Sequence, residues 1–200
     1  MSEIPRMPVM ERSYVGLDLS LSSTGFCIKT GNEIRVETIK SKPDTAENDL
    51  ARLRYICNEI MMRVPRTVGM ICIEDFFTPG NAKQIGAAIK LAMLGTVIRM
   101  TLYESGFPFF IVAPVQLKKF ITSSGASQKS LIVMSVYKMY GIEVKDDNQA
   151  DAMVLAHIAE ALDKNTTEMP KYQLEVVGKV RKERPCYNVQ RDKTAHESNT

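Results

Sequence analysis

Three acidic residues stand where an apolar element ends or begins. Asp18 closes the run VGLD and precedes a serine-rich turn, Glu74 closes the run VGMICIE, and Asp151 opens QADAMVLAHIAEAL with Asp147 one helical turn before it. An ionised carboxylate at such a position needs a hydrogen-bond donor, a cation or a metal to offset its desolvation. Strand ends in mixed and parallel sheets line a crevice, so these acids are expected to meet in one. Carboxylates brought together repel unless a cation lies between them. Oxygen-only ligands suit Mg²⁺ or Mn²⁺ rather than zinc, and two such ions about 4 Å apart activate a water and stabilise the leaving oxygen in phosphoryl transfer. For Asp147 and Asp151 alone a plainer role competes, since an acid in the first turn of a helix is favourable by about 0.3 to 1 kcal/mol.

Other chemistries are poorly supplied. His157 and His196 are the two histidines, which leaves little for a histidine metal site or a Ser-His-Asp triad. Cys27, Cys57, Cys72 and Cys186 form no CxxC pair and three of them lie in apolar runs, so they are expected as buried thiols. The formal charge of +3 resides in the C-terminal stretch, where Lys164 to Thr200 carries eight basic and five acidic residues. Within the neutral body, Val115 to Tyr140 holds Lys118, Lys119, Lys129 and Lys138 and no acid. That stripe is either a solvated face or a surface for a polyanion. The longest apolar segment, Ile85 to Leu102, is interrupted by Lys90 and Arg99, and no signal peptide is evident, so the chain is read as soluble and cytoplasmic, without a membrane partner.

The elements that must position the acids follow from periodicity. Tyr14 to Leu19, Gly25 to Lys29 and Ile34 to Ile39 read as an antiparallel meander. Asp44 with Glu47 signals a helix start, and Leu50, Leu53, Cys57, Ile60, Met61 and Val64 follow helical spacing up to Pro65. Val68 to Phe76 is a strand buried on both faces. The helix from about Ala82 to Glu104 has two apolar stripes and needs two surfaces to pack on, one of them the sheet. Its second stripe, assigned to Leu91, Leu94, Ile98 and Leu102, is the expected contact with another helix or subunit. Phe109 to Ala113 is a short strand, and helices follow over Val115 to Ile121, Gln128 to Tyr140 and Gln149 to Leu162. This is an α/β domain with a mixed sheet, spanning 14–163 after a leader of 1–13. The polar stretch 164–200 is expected to be flexible, with at most an edge strand at Leu174 to Val177.

Four blocks, VGLDLSLSSTGFCI, ICIEDFF, VAPVQLKKFITSSGASQK and DDNQADAMVLA, resemble the RuvC-type Holliday junction resolvases of the RNase H-like superfamily, especially phage-type members. The resemblance runs from about Val15 to Leu162 in order and spacing. It implies an RNase H-like, mixed five-stranded sheet flanked by helices. It also implies a homodimeric, Mg²⁺-dependent endonuclease that nicks opposing strands of a four-way DNA junction, leaving 5′-phosphate and 3′-hydroxyl ends. Asp18, Glu74 and Asp151 match the family's catalytic acids. The family commonly has an acid or histidine three residues before the last aspartate, where this chain has Asn148; Asp147 or the Asn148 carbonyl oxygen is the expected fourth ligand. Lys118 and Lys129 match lysines that approach the cleaved strand, with Lys119 beside them. Phe77 matches an aromatic residue that stacks on unpaired bases at the junction centre, or else it covers the core.

Two other readings are weighed beside it. Actin-like and sugar-kinase folds also open with a strand, an Asp and a Thr-Gly turn, but they need a second phosphate loop and an adenosine pocket, so no nucleotide cofactor is expected. An RNase H-like domain that has lost activity and only binds branched nucleic acid would keep the fold without a full ligand set.

Overall fold

In the computed structural model, residues 11–42, 48–76, 82–183 and 187 are described. Strand β1 (Ser13–Asp18) lies at the centre of a five-stranded sheet, pairing antiparallel with β2 (Ser23–Thr30) and parallel with β4 (Val68–Glu74). Antiparallel β3 (Glu33–Lys40) and parallel β5 (Phe109–Val112) complete the order β3-β2-β1-β4-β5. β1, β4 and β5 therefore run side by side and end on one edge of the sheet. This is the mixed five-stranded sheet flanked by helices that the sequence resemblance implied.

Alternation along the strands divides the side chains between two cores. Val15, Leu17, Ile71 and Ile73 face helices α1 (Asp49–Met61) and α2 (Ala82–Glu104). Tyr14, Met70 and Cys72 face α5 (Asp147–Lys164), which is backed by α3 (Pro114–Thr122), α4 (Lys129–Tyr140) and α6 (Lys171–Glu183). The same period of two carries Asp18 and Glu74 to the α5 side at the ends of β1 and β4.

α5 lies unusually close to the sheet. Its buried face is rich in alanine, with Ala150, Ala152, Ala156 and Ala159 fully enclosed. A Cβ built on Gly16 would overlap the carbonyl oxygen of Ala152, and one on Gly25 would overlap that of Asn148. No larger residue fits at either place without moving the helix.

Three expectations change. Leu174 to Val177 does not form an edge strand: Lys171–Glu183 is helix α6, and Gln173, Val176, Val177 and Val180 are buried against the body. The i, i+3, i+4, i+7 spacing of those four residues is a helical stripe, masked by the polar composition around it. Within the stretch expected to be flexible, this helix is a packed part of the domain. The second correction concerns α2. Leu94, Ile98 and Leu102 lie in the core, and the stripe facing outwards is Ile85, Ile89, Met93, Val97 and Met100. Leu94 is 0% exposed whereas Ile89 is 55% exposed, so the stripe left for a partner is the other one. By length and composition the window Ile85–Glu104 is apolar enough to cross a membrane, but its inner stripe is part of the α/β core. The third concerns the start of α1: Asp44 and Glu47 fall outside the described residues, and the cap is Asn48, whose side chain accepts from the Ala51 amide at 2.9 Å.

Candidate metal centre

Asp18, Glu74 and Asp151 converge at the carboxyl edge of the parallel strands. One carboxylate oxygen from each lies within 4.8 Å of the others. β1 and β4 deliver the first two, being adjacent and parallel; α5 delivers the third, because Gly16 and Gly25 let its first turns rest on the sheet. The start of α5 is fixed independently. Asp146 caps it by accepting from the Gln149 amide at 2.8 Å, and the Thr38 hydroxyl of β3 donates to Asp146 while accepting from the Gln149 side chain at 2.9 Å. The plainer role of helix capping thus belongs to Asp146, and Asp151 is left for the cluster.

Burial outweighs the neighbouring positive charges at the three acids. Burial, reinforced by the neighbouring Glu74, holds the Asp18 carboxyl far above the usual carboxylate range, and Glu74 is also raised by burial. Asp151 is pushed up to about 7, first by burial and then by Glu74 and Asp147. The hydrogen bond between Asp18 and Glu74 lowers the pKa of Glu74 and raises that of Asp18. Asp151 Oδ1 is buried with no hydrogen-bond partner among the described residues. A hard cation answers all of this together, by supplying the missing partner and letting every carboxylate ionise. The donor set, oxygen only and enclosed on one side, fits Mg²⁺ or Mn²⁺.

The lysines separate into two kinds. Lys118 and Lys129 both act electrostatically on Glu74 and Asp151, lowering their pKa values. Lys129 also forms an ion pair with Asp147, whose carboxyl is held low by that contact. Asp147 is therefore near the cluster but outside the three-carboxylate group, with Lys129 as its partner. Lys119 points elsewhere, pairing at 2.8 Å with Glu175 of α6. Phe77 lies outside the described residues. Its neighbour Phe76 is described, beneath the Arg99 guanidinium at 5.3 Å from the ring centroid.

The serine turn after Asp18 is occupied with itself. The amides of Ser22 and Ser23 both donate to Ser20 Oγ, and Ser20 N–H donates to Thr24 Oγ1 at 3.1 Å. Those donors are not presented to a phosphate, which removes the feature that suggested a nucleotide-binding turn.

Sequence reasoning missed Gly16 and Gly25 as determinants of this site. Their signal was present, since a glycine beside the first acid and another opposite it in a hairpin often mark close backbone approach. What they approach is set by the fold.

Residues 14–159 match the profile of a protein family described as crossover junction endodeoxyribonuclease RuvC. A RuvC from Wolinella succinogenes is 25% identical over 152 residues, covering 72% of this chain and 91% of the relative. One from Caldicellulosiruptor saccharolyticus is 28% identical over 153 residues, covering 71% and 88%. Among solved structures, T. thermophilus RuvC in complex with a Holliday junction substrate superposes with a TM-score of 0.57 at 18% identity, over 72% of this chain and 90% of that one. A second Thermus thermophilus RuvC structure gives 0.54 at 20% identity over the same shares. The fold is thus that of RuvC, and with the family profile matched across most of its length, the chain belongs to the RuvC crossover junction endodeoxyribonuclease family.

Proposed function

We propose that this protein is a Holliday junction resolvase, a homodimeric endodeoxyribonuclease that nicks opposing strands of a four-way DNA junction by metal-dependent phosphodiester hydrolysis. The observation that carries the chemistry is the cluster of Asp18, Glu74 and Asp151, whose carboxylate oxygens lie within 4.8 Å of one another, with Asp151 Oδ1 buried and without a hydrogen-bond partner among the described residues. These three residues would hold Mg²⁺, with Mn²⁺ as a substitute, in a site for two ions. Bound there, the metal supplies Lewis acidity and a nucleophilic water at neutral pH.

The side chains around the cluster have distinct tasks in this reading. Asp18 and Glu74, at the ends of adjacent parallel strands, would hold the metal as ionised carboxylates. Lys118 and Lys129 offset negative charge at the phosphate as the transition state forms. Asp147 either adds a ligand or holds Lys129 in place through their ion pair, and Asn148 is the alternative fourth ligand. Lys119, engaged with Glu175, contributes to DNA affinity only if that exposed pair opens. Phe77 is assigned to the junction centre.

Cutting two opposing strands requires two sites at a fixed spacing, which a twofold dimer provides. The exposed stripe of α2, Ile85, Ile89, Met93, Val97 and Met100, is the proposed interface. Met93→Lys should give monomers in sedimentation velocity; a variant that stays dimeric places the interface elsewhere.

Incubating the purified protein with a labelled four-way junction, a linear duplex and ATP, each with Mg²⁺ and with EDTA, tests the whole reading. Paired, metal-dependent nicks on the junction alone, absent in Asp18→Asn, support it. Junction binding without nicks identifies an inactive binding module, and ATP turnover identifies neither.

A further inference from the structure

Helix α6 and Tyr187 lie beyond residue 159, where the match to the family profile ends. Both attach to one unit of the domain, the edge strand β5 and the helix α3 that follows it after Ala113. The contacts run antiparallel along that unit. Gln173 Nε2 donates to the Phe120 carbonyl in the last turn of α3 at 2.9 Å, Lys119 pairs with Glu175 at 2.8 Å, and Gln116 Nε2 donates to Glu183 Oε2 at 3.1 Å. Tyr187 then exchanges both backbone hydrogen bonds with Phe109, at 3.0 and 3.2 Å, and stacks on its ring with the centroids 4.9 Å apart. Along α6 itself, Val176, Val177 and Val180 are buried.

These ties differ in strength. The Lys119–Glu175 pair is exposed and contributes at most about 1 kcal/mol. Gln116 and Gln173 are each only 5% exposed, and a buried polar group left unpaired costs about 1 to 3 kcal/mol. Gln116 joins three segments, because its Oε1 accepts from the Ala113 amide at 2.9 Å while its Nε2 reaches Glu183. The two glutamines therefore hold both ends of α3 against α6, in direction as well as in distance.

The rotation of α3 matters because successive side chains on a helix point about 100° apart. Lys118 and Lys119 cannot both face the carboxylates. With Lys119 turned to Glu175, Lys118 is the one whose charge acts on Glu74 and Asp151. We propose that α6 and Tyr187 form a strap that fixes the rotation of α3 and so holds Lys118 at the carboxylate cluster, with Gln116, Gln173 and Glu183 as positioning residues. The inference rests on the endonuclease reading of the cluster and adds to it a requirement for a helix outside the family profile. A shift of about 1 Å in a group that stabilises the transition state can cost up to about a hundredfold in rate.

The test uses the full chain with Gln173→Leu and Glu183→Ala together, which unties both ends of α3 and keeps the buried valines of α6. On a four-way junction with Mg²⁺, this variant should lose about tenfold in kcat while its Kd for the junction, measured without metal, stays within about twofold of wild type. In a Lys118→Ala background the same two substitutions should change kcat by less than about twofold, because the group they position is gone. A second reading needs neither DNA nor metal: labelling of the half-buried Lys118 amine by acetic anhydride, followed by mass spectrometry with Lys138 as internal reference, should rise about twofold or more in the untied variant. An equal loss of kcat with and without Lys118 overturns the proposal, as does a variant in which kcat and Lys118 labelling both stay at the wild-type level. Should the untied variant not fold, Glu175→Lys replaces it. That change should lower kcat about threefold, with recovery in Glu175→Lys/Lys119→Glu where the pair is restored with its charges exchanged; no recovery counts against the strap. Failure of the wild type to nick a junction counts against the endonuclease reading and leaves Lys118 labelling to judge the strap.

Discussion

The two ends of α5 treat their acids in opposite ways. At the C-terminal end Glu160 is bracketed by Lys29 and Lys164, each at 2.9 Å, and its pKa falls below the usual range. Asp163 next to it is bonded to Arg12 at 3.0 Å and to the Tyr14 hydroxyl at 3.1 Å. At the N-terminal end Asp151 meets two further carboxylates, has one buried oxygen with no hydrogen-bond partner among the described residues, and is raised to about 7. The helix, the sheet and the residue types are the same. The difference is that the acids at one end are paired with basic side chains, whereas those at the other end meet one another, the arrangement a cation would complete.

Removing charge at the two ends should therefore act in opposite senses. The largest effect falls on activity: Asp18→Asn should reduce junction cutting by more than about a hundredfold while leaving junction binding intact. Cutting that survives this change would break the comparison at its centre.

The second effect is on pH dependence without metal. Asp151 has a folded pKa of about 7 against an unfolded value near 3.8, so the folded state binds more protons between these pH values. Stability should then fall as pH rises through that window, by at most about 4 kcal/mol from Asp151, with Asp18 acting in the same direction. Mg²⁺ should accordingly raise Tm more at pH 8 than at pH 5 in a thermal shift assay; an equal shift at both would deny the site its repulsion. For the same reason Asp151→Asn should raise the metal-free Tm at pH 8.

A third change addresses how the helix is placed. Gly16→Ala should destabilise by about 3 kcal/mol, because its Cβ meets backbone rather than a yielding side chain. Denaturant unfolding reads the stability, and metal affinity by titration calorimetry should fall in the same variant as Asp151 is carried away from Asp18. The smallest effect is expected at the satisfied end: Glu160→Gln should cost about 1 to 2 kcal/mol with cutting unchanged, because it leaves Lys29 without its charged partner. Loss of cutting in Glu160→Gln would mean that the two ends are not independent.

Much of the site is legible in the residues themselves. A carboxylate at the end of an apolar strand is conspicuous, and period-two alternation places Asp18 and Glu74 on one face once their strands are adjacent and parallel. The core strands and the long helix are legible for the same reason, since burial writes its period into the residues. Other features are not. Lys118 and Lys119 are adjacent in sequence, yet one acts on the carboxylate cluster and the other pairs with Glu175 of a helix more than fifty residues later. Which stripe of α2 faces the sheet is equally hidden, because both are apolar and only the rotation of the packed helix distinguishes Leu94 from Met93.

The sequence by itself determined which residues could ligate, which segments must be buried, and the family in which both occur together. The tertiary structure decided the rest. It brought Asp151 to Asp18 through a helix lying on two glycines, gave the helix cap to Asp146, and assigned Lys129 to Asp147. The physical reason is one of range. Side-chain type and local period are properties of short stretches, whereas the pairing of charges and the space between walls depend on distances between segments far apart in the chain.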